Sequence, residues 1–154
     1  MRFWMLSVQS LGGDNLKAKE YLNQARYLEQ RIESNIEQWE QMNALATKVT
    51  TVISDMPKSP GGSTSRLEDT IVKILEFEEE IRTRVDTLVS LKSQIASTIE
   101  AVPQEQCRLI LTKRYLSHKT WEDIAHDLDY DLRWVHRLHK RALQEVQQIL
   151  DAAA

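Results

Sequence analysis

From Ala18 onward, apolar or small residues fall at Ala18, Tyr21, Ala25, Leu28, Ile32, Asn35, Trp39, Met42, Ala46, Val49, Ile53 and Met56. Their spacings alternate three and four, the heptad rule for a helix seam. The polar member is Asn35, with Ile36 beside it to keep an apolar contact. A buried Asn in such a seam fixes register or partner number at some cost in stability. The pattern stops where Pro57-Lys58-Ser59-Pro60-Gly61-Gly62-Ser63-Thr64-Ser65 reads as a loop. Ser65, or Thr64, with Glu68 following, reads as an N-cap for a second helix. Its stripe is Leu67, Ile71, Ile74, Ile81, Val85, Leu88, Ile95 and Ile99, with Phe77 and Leu91 covering for Glu78 and Lys92 at the strict heptad places. Two helices of about 35–40 residues, ~55–60 Å each, joined by a short loop predict an antiparallel hairpin. Its seam residues suit an interchain pairing as readily as an intrachain one.

Pro103 ends this pattern, and the periodic runs become short: about 104–116, about 121–128 and about 132–150. Counted from Trp121, the second and third runs fit a helix-turn-helix frame. Ile124 and Ala125 stand where the second helix must approach closely, Leu128 closes the first helix, and Val135 and Leu138 anchor the second. Asp129-Tyr130 makes the turn, with Asp in place of the usual Gly at 129, and Asp131 is placed to cap the next helix. On a 3.6-residue period Val135, Leu138, Ala142 and Val146 share one face, and Arg133, His136, Arg137 and Lys140 share the opposite one.

A helix that reads DNA needs this sorting: long donors to reach base edges in the major groove, flanked by cations for phosphates. Arg133 and Arg137 suit guanine, because a guanidinium pairs bidentately with it. His136 and Lys140 suit phosphate or secondary contacts, Arg141 extends the basic run, and Lys119 and Thr120 precede the first helix where they can hold backbone phosphates. Asp131 can also accept from cytosine. Trp134 is expected to fill the junction with the preceding helices, with packing on DNA as its other use. Spacing alone leaves a second reading open, two ordinary amphipathic helices with a solvated basic face.

Charge changes this picture by its distribution. The 154 residues carry 20 Lys plus Arg against 23 Asp plus Glu, a formal charge of −3, which excludes a generally basic nucleic-acid wrapper. Residues 14–102 hold 11 basic and 15 acidic side chains, so the hairpin should not bind DNA unaided. Its cluster Glu76, Glu78, Glu79 and Glu80 reads as a solvated face. Residues 103–154 hold eight of each sign, and their basic residues concentrate between 131 and 141. Seven Gly plus Pro and 6% aromatics argue against β-sandwiches and barrels. The expectation is an all-α chain in three parts: a leader over 1–13, a helical hairpin over 14–102 with its loop at 57–65, and a helix-turn-helix domain over 103–150. The single Cys, Cys107, excludes an intrachain disulfide and reads as a buried small thiol. No stretch approaches the ~20 apolar residues that span a bilayer, so a cytoplasmic protein with no membrane partner is expected.

The run Val102-Pro103, Arg108-Leu109-Ile110-Leu111, Arg114-Tyr115-Leu116, Thr120-Trp121-Glu122-Asp123-Ile124-Ala125, Leu128 and Val135 to Leu143 resembles region four of sigma factors. From about Leu16 onward the chain resembles a family of small phage and prophage proteins of Gram-positive bacteria with a sigma-like C-terminal domain. The stretches that carry this are Ala18 to Leu22, Ser54 to Pro57, Thr64 to Ile74 and Arg133 to His139. That family is compared with phage late-gene activators of the ArpU and RinA type. The resemblance implies a four-helix domain that reads a promoter element in double-stranded DNA, with host RNA polymerase as a partner in the bacterial cytoplasm. Separately, Trp39, Asn35 and the Glu78 and Lys92 positions of the hairpin accommodate a homodimer or higher oligomer.

Other classes are less well served. The four His, His118, His126, His136 and His139, give no third ligand by spacing, so no metal is expected, and helix-face His of this sort read as surface or DNA-contact groups. Gly61-Gly62 lacks the strand, Lys and helix order of a nucleotide site. Neither an enzyme nor a cofactor is expected. The rivals reuse the same parts: a small DNA-packaging subunit of a phage terminase, or a structural coiled-coil protein without DNA binding.

Overall fold

The computed structural model describes residues 14–54 and 63–153, and all regular structure among them is helical. Helix α1 spans Asp14–Ser54, α2 Ser63–Glu100, α3 Glu105–Leu111, α4 Trp121–Leu128 and α5 Leu132–Ala153. The expected leader, the seam position Met56 and most of the expected loop lie outside the described residues. Helix α2 is already under way at Ser63, so Thr64 and Ser65 sit inside its first turn and do not cap it from outside. No helix of the described residues is long and apolar enough to cross a membrane.

The chain divides into two compact units. One is Leu28–Leu88, which holds α1 from Leu28 to its end and α2 from its start to Leu88. Within it Trp39 Nε1 donates to Glu78 Oε1 at 3.1 Å, which explains how an acidic residue occupies a seam position. The pairing is intrachain there. On α2 the covered side runs through Leu67, Thr70, Ile74, Phe77, Ile81, Arg84 and Leu88, while Ile71 and Val85 of the expected stripe are 45% and 40% exposed. The covered stripe is thus displaced by one residue, with Thr70 and Arg84 in the places expected for Ile71 and Val85. On α1, Val49 is also exposed, whereas Ile32 and Asn35 are buried as the heptads require.

The other unit joins the first turns of α1 and the last turns of α2 to α3, α4 and α5. Its core is Ala18, Leu22, Ala25, Ile95, Ile99, Val102, Cys107, Ile110, Leu111, Tyr115, Ile124, Val135, Leu138, Ala142, Leu143 and Val146. Contacts therefore group residues 89–102 with the C-terminal helices, although the hydrophobic period does not break until Pro103. Leu22 is fully buried and lies off the heptad seam. A helix with one neighbour buries a narrow stripe, and one with two buries a wider arc. Here α1 meets α2, where Tyr21 Oη and Thr98 Oγ1 are 2.9 Å apart, and also α5, where Gln147 Oε1 accepts from the Ala18 N–H at 3.0 Å. Gln147 Nε2 then donates to Asp151 Oδ1 at 2.9 Å, so a buried amide is satisfied at both ends.

Helix α3 runs into a π-helical turn over Thr112–Leu116 that carries Tyr115 into the core. Such a turn inserts a residue and rotates those after it. The connection that follows is held by Arg114, which donates to the Lys119 carbonyl at 2.9 Å and lies 4.5 Å over the Trp121 ring. Thr120 caps α4, its Oγ1 accepting from the Asp123 N–H at 3.1 Å. Helix α4 ends on Asp129 in the left-handed region, φ 54° and ψ 44°, where Tyr130 N–H returns to the Ala125 carbonyl at 2.9 Å. Asp tolerates this region better than most residues, so Gly is dispensable here.

Candidate nucleic-acid interface

The expected reading helix is α5, and its faces are sorted. Val135, Leu138, Ala142 and Val146 are buried, while Arg133, His136, Arg137 and Lys140 are exposed. Arg133, Arg137 and Lys140 make no ion pair among the described residues, which leaves their donors available to a ligand. Asp131 caps the helix, its Oδ1 accepting from the Arg133 N–H at 3.2 Å. The three-residue passage from Leu128 to Leu132 holds α4 against α5, with Ile124 fully buried beneath and Ala125 and Leu128 half-buried.

Three other expected contact residues are engaged within the chain. Lys119 and Lys113 share the Asp127 carboxylate, Lys113 Nζ at 3.1 Å and Lys119 closer still. Their hydrogen bonds, Lys119's first, hold the Asp127 carboxyl below the usual carboxylate range. The Thr120 hydroxyl oxygen serves as the cap of α4, leaving its own proton to donate. Arg141 reaches Glu145 at 3.7 Å, and the Gln104 amide, turned with its oxygen toward the guanidinium, accepts from it at 2.7 Å. It thus ties α5 to the start of α3.

Two expectations change here. Trp134 does not fill a junction; it is 43% exposed in the first turn of α5, because the junction is already closed by Val135 and Leu138 one and four residues on. His139 is no surface group. Its Nε2 is 2.7 Å from Tyr115 Oη and its ring lies 4.4 Å from Trp121, which also touches His136 at 5.2 Å. Burial, reinforced by Lys19, Arg114 and His136, pushes its pKa down to about 4, so it is neutral at neutral pH. Burial pushes the Tyr115 hydroxyl up to about 12. This cluster of Arg114, Tyr115, Trp121 and His139 sets α4 on α5 and was not visible as helical spacing, because the π turn changes the phase of Tyr115.

Cys107 is fully buried with its thiol 3.8 Å from the Leu138 carbonyl, and burial raises its pKa, away from the nucleophilic thiolate. No group of three His, Cys, Asp or Glu among the described residues is placed to hold a metal ion. Comparison with family models, with curated proteins and with solved structures finds no match for the chain.

Proposed function

We propose that the C-terminal helices are a sequence-specific reader of double-stranded DNA, a helix-turn-helix of sigma region-four kind in a phage or prophage transcriptional regulator. The observation that carries this reading is the face-sorted α5: three exposed cations without partners among the described residues, Arg133, Arg137 and Lys140, on a helix whose opposite face is packed. The short capped turn before it supports the same use, since it fixes the angle at which α5 meets a groove. Arg133 and Arg137 address base edges, His136 and Lys140 phosphates, and Thr120 a phosphate through its hydroxyl proton. Lys119 shares its charge with Asp127 and contributes less. Host RNA polymerase is the partner that the resemblance to sigma factors implies.

The test is selection of bound DNA from a random pool, with purified polymerase present and absent. A discrete site should emerge, its affinity falling steeply with salt, by about 0.9 in log–log slope per phosphate neutralised. Replacing Arg133 and Arg137 with Ala should remove discrimination worth ~1–3 kcal/mol per bidentate contact while leaving helical content intact. If the double variant binds the selected site as tightly as the parent, α5 is not the reading helix. A ring-sized assembly that engages a packaging ATPase would point to the terminase reading, and the absence of salt-dependent DNA binding would point to a structural coiled coil.

A further inference from the structure

The Leu28–Leu88 unit is thinly packed: among its described residues only Ile32, Asn35 and Ile74 are buried. Six of the eight large aliphatics exposed among its described residues lie in the half nearest the 55–62 connection, the other two being Ile36 and Val85. Leu45, Val49 and Val52 recur at helical spacing on α1, and Ile71, Val72 and Leu75 lie within two turns on α2, with exposures of 40–59%. Threonines between them add to the apolar character. Thr47, Thr50 and Thr51 donate to the carbonyls of Asn43, Ala46 and Thr47 at 2.8–3.0 Å, so their hydroxyls are consumed within the helix.

Charge is sorted along the same unit. Residues 41–54 and 63–75 hold three basic and two acidic side chains, whereas residues 29–40 and 76–86 hold three basic and nine acidic. A foreign basic partner is steered to the acidic lengths, and a foreign acidic one is repelled by them on its approach. The near-neutral apolar half matches a surface of its own chemistry. We infer that it is where a second copy of this chain docks, the two hairpins overlapping antiparallel only at their connection ends. That register buries the aliphatics of both copies and keeps the two acidic lengths apart, where fuller parallel overlap would set like charge against like. A two-fold overlap centred beside Lys48 brings Leu45 of one copy level with Val52 of the partner subunit, an isologous contact that closes. Four helices then share a core that two cannot supply.

Sedimentation velocity on the full chain, from low to high micromolar, tests this. The parent should reach twice the chain mass, and Leu45→Glu or Val52→Glu should each weaken the dimer by at least ~10-fold, as loss of a central interface anchor does. Because a hairpin that loses cover can also lose helix, a mixed pair provides the second readout. Leu45→Lys and Val52→Glu should each be monomeric alone and form a heterodimer together, with helical content recovered on mixing. A parent that stays monomeric throughout, a Leu45→Glu chain that dimerises like the parent, or a mixed pair without recovery overturns the inference. None of these outcomes depends on DNA binding by α5.

Discussion

Acid should loosen the unit that holds α5 through one histidine. His139 is pushed from an ordinary value of 6.5 to about 4, first by burial and then by Lys19, Arg114 and His136. The folded state therefore resists protonation of this ring while the unfolded chain accepts it, so stability is fully present above pH 6.5 and declines as pH falls toward 4. Linkage gives about 3 kcal/mol in all and about 2 kcal/mol between pH 7 and pH 4.5. The perturbation is His139→Gln, which keeps a polar partner for Tyr115 but cannot titrate. Urea unfolding followed by circular dichroism, at steps from pH 7 to pH 4.5, measures both chains. At ~1–3 kcal/mol per molar urea, the parent's midpoint should fall by about 1–2 M more than the variant's. The Asp127 pair with Lys113 and Lys119 is common to both chains and cancels in the difference. Parallel midpoints for parent and variant over this range would refute the reasoning, because they would mean that His139 is not buried as a neutral ring.

Three further outcomes are expected. Gln147→Leu removes the hydrogen bond that ties the Ala18 N–H of α1 to α5 and should cost about 0.5–1.5 kcal/mol in unfolding free energy, read by urea unfolding. Trp39→Phe and Glu78→Ala should couple by about 0.5–1.5 kcal/mol in a double-mutant cycle, because they share one hydrogen bond; additive costs would contradict the intrachain pairing. Asp129→Val should destabilise by ~1–2 kcal/mol and Asp129→Gly should not, since only the first forces a β-branched side chain into the left-handed region, as thermal unfolding would show.

Most of what the sequence expresses locally lies in its hydrophobic period and its charge. The short helices over 121–128 and from 132, the Asp131 cap and the opposed faces of α5 all follow from local spacing, since each depends on residues within one or two turns. What escaped depends on a second neighbour. Leu22 is core because α1 meets α5 as well as α2, and Gln147 is buried because it reaches a backbone N–H 129 residues away. His139 escaped for a related reason: its partners, Tyr115 and Trp121, come from a π turn and from α4.

Counting cations has the same limit, and it bears on how α5 is to be tested. The stretch 131–141 holds four basic residues, and Lys119 with Lys113 adds two more nearby. Pairing sorts them: both lysines share Asp127, and Arg141 is tied to Gln104 and Glu145. Of these six, Arg133, Arg137 and Lys140 are without partners among the described residues, all on one exposed face. A lysine already engaged with a carboxylate must surrender that partner to reach a phosphate, so it adds less to counterion release than its formal charge suggests. Trp134 stands 43% exposed beside the same residues. The candidate surface is thus narrower than composition implies, and more apolar at its leading edge than a charge count reveals.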